Sequence, residues 1–427
     1  MSAARPRLLK RHVTAAVIGN ALEFYDFITY AFFAVQIGRT FFPSDDAYAS
    51  LMASLGTFGA GFAMRPVGGI VLGHYADRAG RRPAMLLSFG MMGLSVLALA
   101  IIPSYATIGL AAPVLVLLAR LVQGFALGGE VGSTTAFLVE AAPAHRRGLY
   151  ASWQGASQYV ANLVGGVVGF ALSSMLSADA LDQYGWRIAF LLGAVIIPFG
   201  LVLRNSLPET LHHDDDIHGE TAREPAAAVW RRNVRIIVIG LVVLASLTIF
   251  TYVNNYMTTF AQATLHMSAG VAYAATVVVG SMGIIGTLLG GHLSDIWGRW
   301  PLMVWPRVVN VLITYPVYLW IVDAKSTFAL LLGTALLTFT GVLGAGAFYP
   351  AFSESLPKSI RGSAFGTSYA TSIAIFGGTT QLAITWLIHV TGSPLAPGIY
   401  AIVAGVFGII AIAMMAETAP MVLRKKR

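Results

Sequence analysis

Six ionisable side chains sit inside stretches that are otherwise apolar: Glu23, Asp26, Arg65, Arg120, Glu130 and Arg307. A charged group deep in hydrocarbon costs several kcal/mol, so such residues mark a pathway or a partner. Glu23 and Asp26 are three apart and share a helix face, with Asn20 one turn earlier. Two carboxyls on one face repel, and such a pair is suited to losing and regaining a proton. Glu130 is the third candidate for that proton-coupling role. The competing reading is a static pairing of acid with arginine that holds helices together. Arg120 offers a planar fork that can grip a carboxylate through two parallel hydrogen bonds. Arg65 fits a substrate contact or a structural pair equally well. Arg307, near the start of its apolar run, reads as a structural or snorkelling charge.

Neutral groups are patterned too. Gln154, Ser157, Gln158 and Asn162 fall at i, i+3, i+4 and i+8, one polar stripe along an apolar helix that lipid would not tolerate facing outward. Tyr252, Asn255 and Tyr256 form a second polar group, and Ser368, Tyr369, Thr371 and Ser372 a third. The N-terminal half thus brings charge, and the C-terminal half neutral hydrogen bonds and aromatic walls. The ligand such a set suits is a small, polar organic anion.

The elements that must carry these residues are membrane helices. The chain is 56% hydrophobic and only 11% charged, whereas soluble domains run nearer a quarter charged. About twelve runs are long enough to cross roughly 30 Å of hydrocarbon: 14–38, 51–73, 84–103, 110–137, 149–176, 188–205, 236–262, 269–291, 301–321, 327–352, 363–390 and 397–419. The predicted fold is an all-α membrane protein of twelve transmembrane helices in two pseudo-symmetric six-helix bundles. Residues 1–205 form the first bundle, 206–234 a cytoplasmic linker and 235–427 the second bundle. Of 27 Lys and Arg, only Arg39, Arg187 and Lys325 lie in the opposite loops and three lie within spans. All others fall at the termini or in even-numbered loops, which places both termini in the cytoplasm.

One charged signature appears twice. Gly73, Asp77, Arg78, Gly80, Arg81 and Arg82 follow the second span, and Gly291, Asp295, Gly298 and Arg299 follow the eighth. Glu140, Arg147 and Gly148 recur as Glu354, Arg361 and Gly362 at nearly the same separation. Positive-inside anchoring would explain the arginines alone. Asp77 and the glycine spacing point further, to a latch between two parallel repeats of the kind alternating-access carriers use. In the first copy Asp77 is expected to meet the start of the eleventh helix near Gly362 and Ser363, where backbone N–H groups favour an anion.

The first of these loops and the helix-4 run Arg120-Leu121-Val122-Gln123-Gly124 resemble the major facilitator superfamily over nearly the whole chain. So does Pro208-Glu209-Thr210, faintly echoed at Glu417-Thr418. Gly19-Asn20, Tyr25-Asp26-Phe27, Phe41-Phe42-Pro43, Met64-Arg65-Pro66 and Gly129-Glu130 resemble its metabolite:proton symporter family. Members of that family carry citrate, 2-oxoglutarate, shikimate or betaine/proline. Ser152-Trp153-Gln154, Ala156-Ser157-Gln158 and Ile375-Phe376-Gly377-Gly378 are similar to its citrate carriers. The resemblance implies proton-coupled import of citrate or a related tricarboxylate across the bacterial inner membrane by a monomer. It also implies that the Asp77 latch holds an outward-open state. Two departures stand out. Ile296 and Trp300 replace basic residues in the second copy, which predicts a weaker latch there, and the stretch 251–256 differs from the citrate carriers.

Other classes find little support. His212, His213, Asp214, Asp215, Asp216 and His218 read as a solvated linker rather than a metal site. The glycines at 165–169 lack the Lys-Ser/Thr of a phosphate loop. The basic residues are spread over short loops and make no nucleic-acid face. No constellation reads as catalytic, and no cofactor or metal is expected. A cleaved leader is not expected at the first span, which carries Glu23 and Asp26. A membrane sensor would need an appended domain, for which no room is expected after the last span, and a drug exporter would want an apolar cavity with lone acids.

Overall fold

The computed structural model describes residues 10–79, 81–128, 143–194, 226–357, 360–420 and 422. The regular elements among these residues are all helical, and they form twelve rods. α1 runs Lys10–Phe32 and, after a break at Phe33, Ala34–Phe41. α2 is Ala47–Ala63 and then Arg65–Ala79; α3 is Arg81–Ile101 and α4 Ala111–Leu127. α5 is Arg147–Met175. α6 starts at Ala178–Ala180, passes a π turn at Leu181–Gly185 and continues over 186–194. α7 is Val234–Thr264, α8 Ala269–Trp297, α9 Arg299–Ala324 and α10 Thr327–Ser355. α11 comprises Arg361–Ser372, a π turn at Ile373–Gly377 and Gly378–Thr391. α12 is Ala396–Ala413.

Among the described residues eight helices are long and apolar enough to cross a membrane, and 86–101 and 111–127 are shorter apolar helices in α3 and α4. α1 carries Lys10, Arg11, Glu23 and Asp26, and α6 is described only to 194; with these two the spans number twelve. Large apolar side chains face outward, where lipid and not water solvates them: Leu94, Leu110, Leu312 and Phe328 are each about two-thirds exposed or more. The molecule is an all-α membrane protein of two six-helix units, α1–α6 and α7–α12.

Local chemistry sets the boundaries. The Asp46 carboxylate accepts the Tyr48 N–H at 2.9 Å and starts α2. Pro66, which has no N–H to give, follows the break at Met64. Gly298 joins α8 to α9 at φ +108°, a conformation that a side chain would strain, so this repeated glycine serves the turn. α6 starts earlier than the expected 188. The Ser177 hydroxyl caps it, and its charges are bonded to neighbouring helices: Asp182 pairs with Arg39 of α1 at 2.5 Å and Arg187 donates to the Ala100 carbonyl of α3 at 2.8 Å.

Glycine lets the rods approach. A Cβ at Gly124 of α4 would run into the carbonyl of Gly61 of α2, and one at Gly68 into that of Phe125. Between the halves, α5 and α8 lie together along their lengths. Gly169 takes the Tyr273 ring, Gly283 takes the Tyr159 ring, and Gly148 lies against Gly291. α2 and α11 cross where Gly59 meets Gly378. These seams bring an apolar face of α1 and polar side chains of α5, α7 and α11 to one central cavity.

Candidate functional site

The central cavity is walled by Phe24 and Ile28 of α1, Gln158, Tyr159 and Asn162 of α5, Tyr252 and Asn255 of α7, and Tyr369 of α11. Its amides are spent on each other across the halves. Gln158 Nε2 donates to Tyr369 Oη at 3.1 Å and to Gln154 Oε1 at 3.2 Å, and Asn162 Nδ2 donates to Asn255 Oδ1 at 2.8 Å. The space left is about 50 Å³, enough for one or two waters and far too little for an organic acid. Two of the three bonds tie the first half to the second, so a ligand that takes over these amides must also loosen the halves.

Arg120 and Arg65 stand beside the cavity, not in it. Arg120 is fully buried, its Cζ 4.3 Å from the Phe27 ring centroid, 4.6 Å from Tyr30 and 5.1 Å from Phe58. One terminal N–H group donates to Gln123 Oε1, while Nε and Nη2 have no hydrogen-bond partner among the described residues. Arg65 Cζ lies 4.4 Å from Phe27 and 4.5 Å from Phe62. Phe27, Phe58 and Phe62, the last packed edge-on against Tyr252 at 5.5 Å, form a partition between guanidiniums and cavity. The expected open grip of Arg120 on a ligand therefore needs Phe27 to move. The ring is a weak stand-in for an anion, since a cation–π contact contributes about 0.5–2 kcal/mol.

Other candidates are placed differently from the sequence expectation. Asn20 and Ser157 are not in the cavity wall: Asn20 Nδ2 donates to Ser157 Oγ at 2.6 Å, pinning α1 to α5. Asp26 is buried against Gly193 of α6, and one carboxylate oxygen lacks a hydrogen-bond partner among the described residues. Its neighbour Tyr25 donates to the Ala189 carbonyl at 3.0 Å. Asp26 thus turns to α6, while Phe24 and Ile28 are the α1 side chains that meet the cavity. Ser372 bonds the Leu241 carbonyl of α7 at 3.3 Å, which leaves Tyr369 as the polar contribution of α11. Glu130, Glu140 and Gly80, and the side chains of Glu23, Asp77, Arg81 and Arg82, lie outside the described residues, as does 195–225 with its histidines.

Sequence reasoning missed Tyr159, Tyr349 and Phe24 as wall residues. It also missed Phe27, Phe58 and Phe62 as the rings that cover the arginines. The spacing of Phe24, Phe27 and Tyr30 at three-residue steps was the available signal.

At the cytoplasmic end the second copy of the repeated loop is fully bonded. Asp295 accepts the N–H groups of Gly148 and Leu149, at the start of α5, at 2.8 and 3.0 Å. Arg299 donates to Asp295 at 2.8 Å and to Ser294 at 2.7 Å, and pairs with Glu354 at 3.5 Å. Glu417 accepts the N–H groups of Arg299 and Trp300, both at 2.9 Å, and Thr418 donates to Glu354 at 2.8 Å. In the first copy, the cytoplasmic part of α2 meets the start of α11. Arg78 is exposed, Gly73 has open space around it, Arg147 is partly buried, and Arg361 donates to the Leu356 carbonyl at 3.1 Å. The opposite end holds a vestibule of about 880 Å³ between the halves, lined by Arg39, Asp45, Tyr48, Asp182, Gln262 and His389 among others.

Two helical repeats around a closed polar cavity, latched on one side and hollow on the other, define a membrane carrier of the alternating-access kind. The chain belongs to the Major Facilitator Superfamily, whose family model matches residues 16–379. It is 39% identical to the citrate-proton symporter of Salmonella typhi over 93% of this chain and 92% of that one. It is 31% identical to the proline/betaine transporter of Salmonella typhimurium over 96% of this chain and 84% of that one. The crystal structure of a D-xylose-proton symporter superposes with a TM-score of 0.76 at 20% identity, covering 96% of this chain and 98% of that one. That likeness shows the fold.

Proposed function

We propose that the protein is a proton-coupled symporter that imports a small carboxylate, citrate or a related tricarboxylate, across the bacterial inner membrane as a monomer. The observation that carries this reading is Arg120, a fully buried cation whose hydrogen-bond partner is a neutral amide and whose Nε and Nη2 are unused. Among the described residues no carboxylate pairs with it; a buried charge without a counter-ion is strongly disfavoured, and an anionic ligand would supply one. Gln158, Asn162, Tyr252, Asn255 and Tyr369 would exchange their mutual bonds for the ligand's oxygens, replacing the hydration it loses. The citrate-proton symporter at 39% identity supports a solute carried with protons, while the proline/betaine transporter at 31% carries a different solute.

A second reading has its own observation. The rings of Phe27, Phe58, Phe62 and Tyr252 could surround a quaternary ammonium, which would suit a betaine whose single carboxylate meets Arg120. The experiment is uptake into proteoliposomes under an imposed pH gradient. Labelled citrate should be concentrated and betaine should not; the reverse result would overturn the carboxylate reading.

The coupling proton is assigned to a carboxyl among Glu23, Asp26 and Glu130. For Asp26, the buried oxygen without a partner supports the assignment. Asp26→Asn is expected to abolish gradient-driven accumulation at least tenfold while sparing exchange of labelled for unlabelled substrate. Normal accumulation by this variant would move the coupling site elsewhere.

A further inference from the structure

Arg307 has no task in the account so far. It lies two turns into α9, roughly 12 Å from the start of the helix at 1.5 Å per residue, and is only 3% exposed. A snorkelling side chain would carry its head to the interface; this one keeps it inside. Nη2 donates to the Ser246 carbonyl at 2.9 Å and to the Ser246 hydroxyl. Gly405 and Gly408 of α12 leave room beside Nε. Nη1 is buried without a hydrogen-bond partner, and among the described residues no carboxylate pairs with this guanidinium.

Its surroundings repeat those of Arg120 on the other side of the cavity. The Arg307 Cζ stands 5.2 Å from the Phe250 ring, and Phe250 is part of the cavity wall. The ring is seated on Gly341 of α10, where a Cβ would collide with it, and packs with Tyr159 and Val342. Each half therefore holds a buried guanidinium bonded to neutral groups and covered by an aromatic side chain, Arg120 by Phe27 and Arg307 by Phe250. A ligand with one carboxylate can neutralise one of them. Both are neutralised at once by a ligand with two or more.

We propose that Arg307 is a second carboxylate anchor, reached when Phe250 swings aside, so that a polycarboxylate bridges the two halves through Arg120 and Arg307. The proposal rests on the carboxylate reading above and deepens it, because it makes Arg307 the residue that distinguishes polycarboxylates from single carboxylates. A bridging ligand also couples binding to closure, since both halves must approach it before both cations are satisfied.

The test titrates citrate, and acetate as a single-carboxylate competitor, into purified wild type, Arg307→Gln, Arg307→Lys, Asn310→Ala and Arg120→Lys. The expected result is that Arg307→Gln weakens citrate at least tenfold and shrinks the advantage of citrate over acetate by a similar factor. Arg307→Lys should weaken citrate about threefold or more, which decides the matter if the glutamine variant does not fold. Asn310→Ala, which removes a buried tether from α9 to the Leu337 carbonyl and Thr340 hydroxyl of α10 without touching Arg307, should leave citrate affinity within twofold. Wild-type citrate affinity in both Arg307 variants, with Arg120→Lys impaired, overturns this proposal alone. Loss of citrate affinity in Asn310→Ala equal to that in Arg307→Gln would also overturn it, as a packing effect. Absence of citrate binding in wild type would instead overturn the carboxylate reading.

Discussion

Arg299 and Arg120 are both fully buried arginines, yet their surroundings have little in common. Arg299 lies between two acids, Asp295 and Glu354, with a serine hydroxyl for its remaining reach. Arg120 has one glutamine and three aromatic faces. Burial alone therefore does not tell a working charge from a structural one; the counter-ion does. A compensated cation is finished as it stands, and its network ties α8, α9, α10 and α5 together. One that no carboxylate compensates among the described residues would, on the proposed reading, be neutralised by the anionic ligand, and the empty state would bear its cost.

The comparison can be broken from the Arg299 side first. Arg299→Gln strands Asp295 and Glu354, and removing one partner of a buried pair costs about 3–5 kcal/mol. The expected outcome is a clearly lowered unfolding temperature, with increased labelling of a cysteine introduced at the cytoplasmic end of α5. An unchanged unfolding temperature would show the network to be ornamental. The same substitution at Arg120 should go the other way. Arg120→Gln removes an unpaired buried charge, so the empty protein should be as stable as wild type or more so, read by thermal unfolding without ligand. Destabilisation as large as that of Arg299→Gln would erase the distinction. The smallest effect belongs to the neutral wall: Gln158→Ala deletes two hydrogen bonds that a ligand would inherit and should cost about 1 kcal/mol of citrate binding, measured by calorimetry.

Much of this was legible in the chain. Hydropathy and loop charges gave the spans, because every backbone group in lipid must be bonded within its own helix and only helices do so. The repeated loops gave the two halves. Which way each buried charge points was not legible. The rotation of a helix depends on what packs on it, and here glycine notches on partner helices decide: Gly193 receives Asp26, and Gly61 and Gly124 bring α4 close enough for Arg120 to slip behind Phe27. The second loop was expected to be weaker because Ile296 and Trp300 replace basic residues. Its bonds run through Asp295, Arg299 and Glu417 instead, and Trp300 takes part by its backbone N–H, a donor that does not depend on side-chain identity. Arg307 was open to two readings, a snorkelling charge or a structural one; burial removes the first, since the glycines of α12 and Ser246 of α7 keep it inside.

The most direct test of the central claim is calorimetric titration of citrate into wild type and Arg120→Lys. Lysine keeps the charge and loses the two-pronged fork, so binding should weaken by about 1.5–3 kcal/mol, the scale of a charge-assisted hydrogen bond. Citrate binding by Arg120→Lys as tight as by wild type would contradict the claim that this unpaired guanidinium holds the ligand.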